Sequence, residues 1–465
     1  MSTSHVNFPA EATPTSGEAT TVGFTPAPLV TKSAFAGDSF LPAEPNTIEE
    51  TGLTLPEIEA LVLKQLLTAG STVGRRIADQ IKLPFGILQE ALRSLKGQML
   101  LNYKGQATVG DFEYDLTDEG EKRARFHLER CTYCGAAPVP LKDYIASIER
   151  QSVRKSKPML PDLCAAFSDL LLPPAMISQI GQAVHGGKAM FLFGQPGNGK
   201  TSIAERVIRS VGQYVWIPRT MTVSGEIIRL YDPASHEEAP PTASGALLDL
   251  MHYDRRWVRI KRPSIIVGGE LRMEQLEVIF NPATGILEAP VQLKANCGAL
   301  VVDDFGRQRM EAAELLNRWI VPLEKGYDYL SLPSGRQVQV PFDQLLVFST
   351  NLPPLKLVDE AFLRRIPYKI EVCDPSPRDF RELLKTCCQK AGIEFREDAF
   401  DHLLAKHYVE TARPLRFCHP RDLVQQVRTF CEFHDLPLVL SAKALDVAVK
   451  NYFAGMTEHR PATKG

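Results

Sequence analysis

The 465-residue sequence lacks several features that would each define a class of protein. No apolar run approaches the roughly 18 residues of a membrane span, since charge interrupts even the most apolar stretches, as Lys64 does in ALVLKQLL. Net charge is also small, −2 from 53 Lys and Arg against 55 Asp and Glu, which excludes the overall basic field of a nucleic-acid coat protein. We therefore expect no membrane partner, and any contact with DNA must be local.

The sequence also lacks the signals of an exported or disulfide-bonded protein. No basic residue precedes Lys32, so the positively charged start of a secretory signal is missing and we expect a cytoplasmic protein. Nine scattered cysteines are unlike a disulfide scaffold. Cys131 and Cys134 form a CxxC pair with His127 four residues earlier, but a zinc site needs a fourth ligand and there is no second CxxC. This favours two reduced thiols at a helix end over zinc.

The first 130 residues divide into a tail and a small domain. Residues 1–50 are acidic and rich in Pro, Thr and Ser, which predicts a disordered tail. Residues 51–130 show three helical patterns, an alternating ribbon and a closing helix that Thr117 is placed to cap. This order resembles the winged helix-turn-helix superfamily. Eleven basic residues are offset by eleven acidic ones, so the domain is predicted either to dock a protein or, less favourably, to bind DNA.

The strongest chemical motif is GQPGNGKT at residues 194–201, which follows an apolar run and precedes a helical pattern. This is the GxxxxGKT pattern of a P-loop, in which glycines allow backbone N–H groups to converge on phosphate oxygens. We predict that Lys200 contacts the β- and γ-phosphates of ATP and that Thr201 binds Mg²⁺. The predicted nucleotide-binding residues are Gly194, Gln195, Pro196, Gly197, Asn198, Gly199, Lys200, Thr201 and Ser202.

A second motif, GALVVDDFG, supplies the acidic residues that P-loop chemistry needs. Residues 299–302 form an apolar run of the kind found in buried parallel strands, and Asp303 and Asp304 follow it directly. We predict that Asp303 holds Mg²⁺ and that Asp304 polarises the attacking water.

With GQPGNGKT, LVVDD, LLVFSTN, AFLRRI and HPRDL in that order, the sequence resembles the AAA+ ATPases over roughly residues 170–455. The resemblance implies an α/β fold, with a three-layer α/β/α P-loop core built on a parallel sheet and a C-terminal helical lid. It implies a core at residues 171–372 with insertions and a lid at 373–456. A linker with the CxxC pair at 131–170 and a flexible C-terminus at 457–465 remain.

The same resemblance implies roles for four further catalytic residues. Asn351 matches the polar sensor that aligns water against the γ-phosphate. Arg365, or Arg364 if the match slips by one residue, corresponds to an arginine finger that acts on the neighbouring subunit of a ring. Arg421 opens a lid helix and matches the second sensor, which reaches the γ-phosphate.

Four further features set this sequence apart from most AAA+ enzymes or point to a subgroup. Asp304 stands where most AAA+ enzymes carry glutamate, so hydrolysis is expected to be slow. Lys200 and Asp303 are far apart in sequence, which predicts an insertion around residues 231–296, and YLSLPSGRQVQVP predicts a hairpin. The hairpin resembles that of magnesium-chelatase-like and MoxR-like ATPases. The phrases DDFGRQR and LLNRWIVPLEK resemble bacterial ATPases labelled "chaperone activity, associated with Flp pilus assembly".

These patterns together predict a Mg·ATP-dependent ATPase that works as a homo-hexameric ring and remodels a protein client, recruited directly or through an adaptor. Two alternatives remain open. The chain is a DNA-associated ATPase if Lys82, Arg93, Lys96 and Lys104 approach a groove, or a nucleotide-gated scaffold if Asp304 cannot support hydrolysis.

Overall fold

The computed structural model describes residues 40–106, 110–239, 253–282 and 285–454. The helices are α1 (Ile48–Thr51), α2 (Leu55–Ala69), α3 (Gly74–Ile81), α4 (Phe85–Gly97), α5 (Asp118–Arg130), α6 (Leu141–Gln151), α7 (Leu160–Ala166), α8 (Pro174–His185), α9 (Lys200–Val207), α10 (Val291–Lys294), α11 (Ala312–Arg318), α12 (Ile320–Lys325), α13 (Glu360–Leu363), α14 (Pro377–Ala391), α15 (Glu397–Leu404), α16 (Cys418–Phe433) and α17 (Ala442–Tyr452). Within those described ranges, no helix is both long enough and apolar enough to cross a bilayer.

The strands are short. They are β1 (Thr72–Val73), β2 (Leu101–Gln106), β3 (Phe112–Leu116), β4 (Val139–Pro140), β5 (Met190–Phe193), β6 (Tyr214–Pro218), β7 (Thr220–Val223), β8 (Glu226–Arg229), β9 (Trp257–Lys261), β10 (Ser264–Val267), β11 (Ile279–Asn281), β12 (Ile286–Glu288), β13 (Ala299–Val302), β14 (Tyr327–Ser331), β15 (Gln337–Pro341), β16 (Leu345–Thr350) and β17 (Tyr368–Glu371).

A five-stranded parallel sheet, in the order β10-β13-β16-β5-β17, forms the core. Alternate side chains of a strand point to opposite faces. Leu192 and Val301 accordingly pack with α8 and α9 on one face, while Phe191 and Phe348 pack with α11 and Trp319 on the other. The core is therefore the predicted three-layer α/β/α arrangement.

A second sheet, which we call the inserted sheet, has the order β11-β12-β8-β7-β4. An antiparallel pair, β6 and β9, accompanies it. The insertion predicted at residues 231–296 needs correction, because the added strands begin with β6 at Tyr214 and because Ser264–Val267 is the core strand β10. The predicted hairpin is confirmed as β14 and β15, with Gly335 at a φ of 80° in its turn.

Helices α1 to α5 and the antiparallel sheet β1-β3-β2, whose β2–β3 hairpin we call the wing, make up the N-terminal domain. Thr117 caps α5 as predicted, since its side chain accepts a hydrogen bond from the Gly120 N–H at 3.0 Å. The buried carboxylate of Asp111, in the wing, accepts hydrogen bonds from the N–H groups of Gly74 and Arg75 at the start of α3. This contact fixes the wing against α3.

The predicted acidic tail of residues 1–50 extends too far. Ala43 forms a β-bridge with Tyr253, Pro42 O accepts a hydrogen bond from the Asp254 N–H at 2.9 Å, and the Phe40 ring lies 5.2 Å from the Trp257 ring. Residues 40–50 thus contact the folded part of the chain, because backbone pairing and one aromatic contact outweigh their polar composition. Residues 1–39 and 455–465 lie outside the described residues.

The C-terminal lid consists of α14 to α17, which pack around an apolar cluster of their own. Ser376 caps α14 and Ser441 caps α17 through their side-chain oxygens. Helix α15 continues into a π-helical turn at Ala405–Val409. The lid is thus helical, as the resemblance implies, and has four helices in the described residues.

Candidate nucleotide site

The carboxyl ends of three neighbouring core strands bring the predicted site residues together. Gly194 follows β5, Asn351 follows β16 and Asp303 follows β13, and these strands are adjacent in the order β13-β16-β5. Ligands of open α/β sheets bind at this edge of the sheet. We call it the nucleotide edge.

Lys200 lies at the centre of the nucleotide edge. Its ammonium donates hydrogen bonds to the carbonyl oxygens of Gly194 at 2.9 Å and Gln195 at 3.0 Å, and to Asn351 Oδ1 at 2.7 Å. Burial lowers the pKa of Lys200, while the charges of Asp303 and Asp304 act in the opposite direction. The lysine is thus held over the P-loop by acceptors that a phosphate oxygen can replace.

Thr201 and Asp303 form the pair predicted to bind Mg²⁺. The Thr201 hydroxyl donates to Asp303 Oδ2 at 2.8 Å, and the Asp303 N–H is held by Val267 O at 2.8 Å. The Thr201 hydroxyl at the start of α9 and the Asp303 carboxylate after β13 are hard oxygen donors. Such donors suit Mg²⁺, together with waters and phosphate oxygens. The donor set therefore fits the metal that the motif implies.

Asp304 and Asn351 are joined directly. Asn351 Nδ2 donates to Asp304 Oδ1 at 3.2 Å while its Oδ1 accepts from Lys200, so the amide links the lysine to the acid. Asp304 is exposed and has a φ of 48°, a left-handed conformation that is uncommon for a residue with a Cβ. Such strain is typical of functional sites, and Gln308 supports the turn by donating to Asp303 O and Asp304 O.

The P-loop glycines leave no room for side chains at two positions. Gly194 has a φ of 140°, and a Cβ there would lie 2.5 Å from Val372 O. Gly197 has a φ of 84°, and its Cβ would lie 2.6 Å from Cys418 Sγ in the lid. Only glycine fits at these two positions. A glycine backbone in such a loop can turn its N–H groups toward the oxygens of a bound phosphate.

The remaining P-loop residues take different positions. Gln195 and Pro196 are exposed at the tip of the loop. Asn198 is buried, and its side chain donates to Asp374 Oδ1 at 2.7 Å and to Val372 O at 3.4 Å, so it holds the chain that follows β17. Gly199 has a φ of 77° and precedes α9, and the carbonyl of Ser202 accepts from Arg206.

Three consecutive lid residues reach the P-loop, two by direct hydrogen bonds and Arg416 through Asp374, which Asn198 also contacts. Arg416 pairs with Asp374, the Phe417 N–H donates to Asn198 Oδ1 at 3.4 Å, and the Cys418 N–H donates to Gly197 O at 2.9 Å. The charge of Arg416 adds to burial in lowering the pKa of Lys200. The sequence analysis missed Arg416, because LRFCHPRDL offers no signal that separates this arginine from Arg421.

Arg421 is placed differently from Arg416. Its side chain is 77% exposed and donates to Asp422 Oδ1 at 2.9 Å, and Asp422 also accepts from the Tyr452 hydroxyl. In the described part of the chain, the lid contacts with the P-loop come from residues 416–418. The structure thus brings Arg416 to the nucleotide edge and leaves Arg421 on the lid surface.

Arg364 and Arg365 lie on the other side of the core sheet. They precede β17, which runs parallel to β5, so they are at the amino edge of the sheet while the P-loop is at its carboxyl edge. Arg364 is exposed, and Arg365 Nε donates to Glu324 Oε1 at 2.6 Å. Neither arginine joins the nucleotide site of its own chain.

The CxxC pair also has defined surroundings. Cys134 Sγ lies 3.0 Å from Gln65 Oε1, and burial raises the pKa of the Cys134 thiol, with Thr68 and Lys64 acting in the opposite direction. Lys64 Nζ donates to Cys131 O at 3.3 Å. The Cys134 thiol is thus a hydrogen-bond donor to Gln65.

Together the strand order, the P-loop and the helical lid define an α/β P-loop fold. A family model described as a domain of unknown function (DUF8689) matches residues 376–451, which is the lid. No curated protein matches the chain.

Solved structures to which the chain is similar include the following two. NtrX from Brucella abortus in complex with ATP is 13% identical at a TM-score of 0.37, with 61% of this chain and 56% of that chain covered. The Thermotoga maritima RuvB Holliday junction branch migration motor is 12% identical at a TM-score of 0.37, with 64% and 72% covered. The chain thus spans little more than half of NtrX.

Proposed function

We propose that this protein is a Mg·ATP-dependent AAA+ ATPase that works as a homo-hexameric ring and remodels a protein client. The observation that supports it best is the set of contacts at the nucleotide edge. There Lys200 contacts Asn351, Asn351 contacts Asp304, and Thr201 contacts Asp303. These five side chains come from three separate segments, at the start of α9, after β13 and after β16, and they meet at the nucleotide edge.

Each residue has a part in this proposal. The P-loop N–H groups and the start of α9 bind the phosphates, and Lys200 exchanges its two carbonyl partners for phosphate oxygens. Thr201 and Asp303 would hold Mg²⁺, which would supply positive charge to neutralise the phosphates. Asp304 orients the attacking water, and Asn351 keeps Asp304 in register with Lys200. The carboxylate of Asp304 is one methylene shorter than glutamate, so we expect slow turnover.

The ring is proposed from the position of the arginines. An arginine at the amino edge of the sheet reaches a P-loop only on another copy of the chain, and Arg365 meets this condition by exchanging Glu324 for a phosphate. Arg364 is at the same edge and more exposed, so it is the natural comparison. An arginine finger contributes about 10³-fold or more to phosphoryl transfer.

A protein client is favoured over DNA by the surroundings of the basic residues. Lys82 is partly buried, and this burial lowers its pKa. Lys96 Nζ lies 4.9 Å from the Tyr103 ring, and Lys104 Nζ lies 3.8 Å from Asp115. Lys96 and Lys104 thus contact other groups of the N-terminal domain, and Lys82 is partly buried, which supports a protein-docking role.

The test is steady-state ATP hydrolysis by the full chain as a function of its own concentration, with and without duplex DNA. We expect turnover per chain to rise with assembly, to fall at least about 100-fold in Lys200→Ala, and to fall about 1000-fold in Arg365→Ala but not in Arg364→Ala. Mixing Lys200→Ala with Arg365→Ala chains should restore part of the activity, because some interfaces then combine an intact P-loop with an intact finger.

Other outcomes would replace the proposal. Turnover that is independent of concentration would remove the ring. Stimulation by DNA that salt abolishes would favour the DNA-associated ATPase. Tight ATP binding without hydrolysis, in wild type and in Asp304→Glu, would favour the nucleotide-gated scaffold, because restoring the longer carboxylate would then not restore catalysis.

A further inference from the structure

Three potential metal ligands converge in the lid, on the surface that α15 and α17 share. His402 Nε2 lies 2.9 Å and His407 Nε2 lies 2.5 Å from the same oxygen, Asp446 Oδ1. All three ligand atoms lie within 4.8 Å of one another. We call this the His-His-Asp cluster.

The π-helical turn is what places the two histidines together. Five residues of an α-helix span about 500°, which leaves positions i and i+5 roughly 140° apart. Here the turn Ala405–Val409 is π-helical, and the Glu410 N–H bonds to Ala405 O, five residues back. His402 and His407 therefore face the same carboxylate. Single π turns are rare and occur frequently at functional sites.

The surroundings suit a metal ion. Lys406 Nζ donates to Asp446 Oδ2 at 2.9 Å, so the second carboxylate oxygen is held and Oδ1 faces the histidines. The side chains of His402, His407 and Asp446 are 30%, 15% and 36% exposed, which leaves the cluster open to an ion and to a water as a further ligand. Zn–N and Zn–O bonds of about 2.0–2.2 Å in tetrahedral geometry need ligand atoms a little over 3 Å apart. To reach that spacing, each imidazole Nε2 must move away from Asp446 Oδ1 by less than about 1 Å.

We propose that the His-His-Asp cluster binds a divalent transition-metal ion of the zinc class, with His402 Nε2, His407 Nε2 and Asp446 Oδ1 as ligands. Two imidazoles and one carboxylate with open positions form a donor set that zinc and its neighbours in the first transition row accept. The ion would join the π-helical turn to α17. Its role would be to tie two lid helices together, independently of the nucleotide edge.

The competing explanation is a cluster of hydrogen bonds around Asp446 without a metal. Glutamine separates the two, because its Nε2 donates from nearly the same position as histidine Nε2 but does not replace an imidazole as a ligand. His402→Gln and His407→Gln therefore keep the hydrogen bond and remove the ligand. His434→Gln, at the end of α16 in the same lid, is the matched control.

The experiment titrates the full, reduced, metal-free chain with Co²⁺ in excess Mg²⁺, and follows the visible absorption of the bound ion. We expect one equivalent per chain with a micromolar or tighter Kd, displacement by Zn²⁺, and no near-ultraviolet band of the kind that thiolate ligands give. Binding should weaken at least about 100-fold in His402→Gln and in His407→Gln and stay unchanged in His434→Gln.

A second readout tests the structural role. Zn²⁺ should slow amide exchange in α15 and α17 of the wild type and leave both glutamine variants unaffected. Equal Co²⁺ affinity in wild type and both variants, a thiolate-type spectrum alone, or no visible absorption at millimolar Co²⁺ would each overturn the proposal. Because the two variants act on different turns, failure of one to fold leaves the other as the test.

Discussion

The two domains that flank the core are attached to it in different ways. The N-terminal domain meets the inserted sheet through buried contacts. Arg256, 3% exposed, pairs with Asp254, 4% exposed, and also donates to Thr51 O and Pro138 O, while Ile286 of β12 joins the apolar cluster of the N-terminal domain. The lid instead meets the core through polar contacts of residues 416–418 at the P-loop.

This difference separates a fixed attachment from an adjustable one. Removing one partner of a buried ion pair leaves an uncompensated charge in the interior, so such a contact stays formed. Hydrogen bonds at a partly exposed site each contribute about 1 kcal/mol and exchange readily with a ligand. We infer that the N-terminal domain moves with the inserted sheet, whereas the lid changes position with the nucleotide.

The largest effect is expected at the fixed attachment. Arg256→Met should lower the free energy of unfolding by about 3–5 kcal/mol, because Asp254 loses its partner while buried. Urea unfolding followed by tryptophan fluorescence measures it, since Trp216 and Trp257 lie in the β6–β9 pair. The double variant Arg256→Met/Asp254→Leu should recover most of the loss. A loss below about 1 kcal/mol would show that this attachment is no firmer than the lid's.

The contact between Gly197 and Cys418 tests the adjustable attachment. Gly197→Ala should weaken ATP binding by about 2 kcal/mol, because left-handed strain and the collision of the new Cβ with Cys418 Sγ displace the P-loop backbone from the position in which its N–H groups bind phosphate. Adding Cys418→Ala should restore the part due to the collision.

A titration with a fluorescent nucleotide measures ATP binding in these variants. Gly199→Ala is the control for the prediction. Gly199 has a similar φ of 77°, but no atom lies within 4 Å of its Cβ, so Cys418→Ala should not rescue it. If Cys418→Ala rescued neither variant, the lid would not be pressed against the P-loop at this point.

A smaller effect should separate the two lid arginines. Arg416→Gln should weaken ATP binding about tenfold, because a charged group near the phosphates is lost, whereas Arg421→Gln, on the exposed surface, should change it less than twofold. Nucleotide titration of both variants is the measurement. A larger loss in Arg421→Gln would support the assignment made from the sequence.

The nucleotide edge could be predicted from the sequence because its chemistry is written in short local motifs. The glycines and Lys200 lie within eight residues, and Asp303 directly follows an apolar strand. Parallel strands then bring these motifs to one edge without further information. The lid helices were predictable for the same reason, since their apolar periodicity is local.

The inserted sheet and the lid contacts could not be predicted, because they depend on tertiary pairing. Strand β4 at Val139–Pro140 pairs with β7 at Thr220–Val223, about eighty residues later, and both are too short to show a pattern. Arg416 lies just before α16, where the chain meets the P-loop, and Arg421 lies one turn into the helix. The sequence does not show which of the two positions faces the P-loop. The spacing of His402 and His407 fits neither helical nor strand periodicity, and acquires meaning only through the π-helical turn.

A last effect, comparable in size to that of Arg416→Gln, is a dependence of the lid on pH through His419. His419 is 7% exposed, and burial, together with Arg416 and Arg413, lowers its pKa to about 4. In the unfolded chain the pKa is about 6.5, so between pH 6.5 and 4 the unfolded state binds a proton that the folded lid does not. The stability of the lid is therefore complete above pH 6.5 and falls as the pH decreases, by about 1–2 kcal/mol at pH 5.

Urea unfolding followed by circular dichroism at pH 7.5 and pH 5, in wild type and His419→Phe, isolates this contribution as the difference between two pH dependences. We expect a weaker pH dependence in His419→Phe, because phenylalanine has no proton to bind. The same dependence in both chains would mean that His419 is solvated in the folded lid. His419 follows Cys418, whose N–H donates a hydrogen bond to Gly197 O. A proton taken up by His419 would therefore loosen the contact between the lid and the P-loop. The Arg256–Asp254 pair would meanwhile keep the N-terminal domain in place.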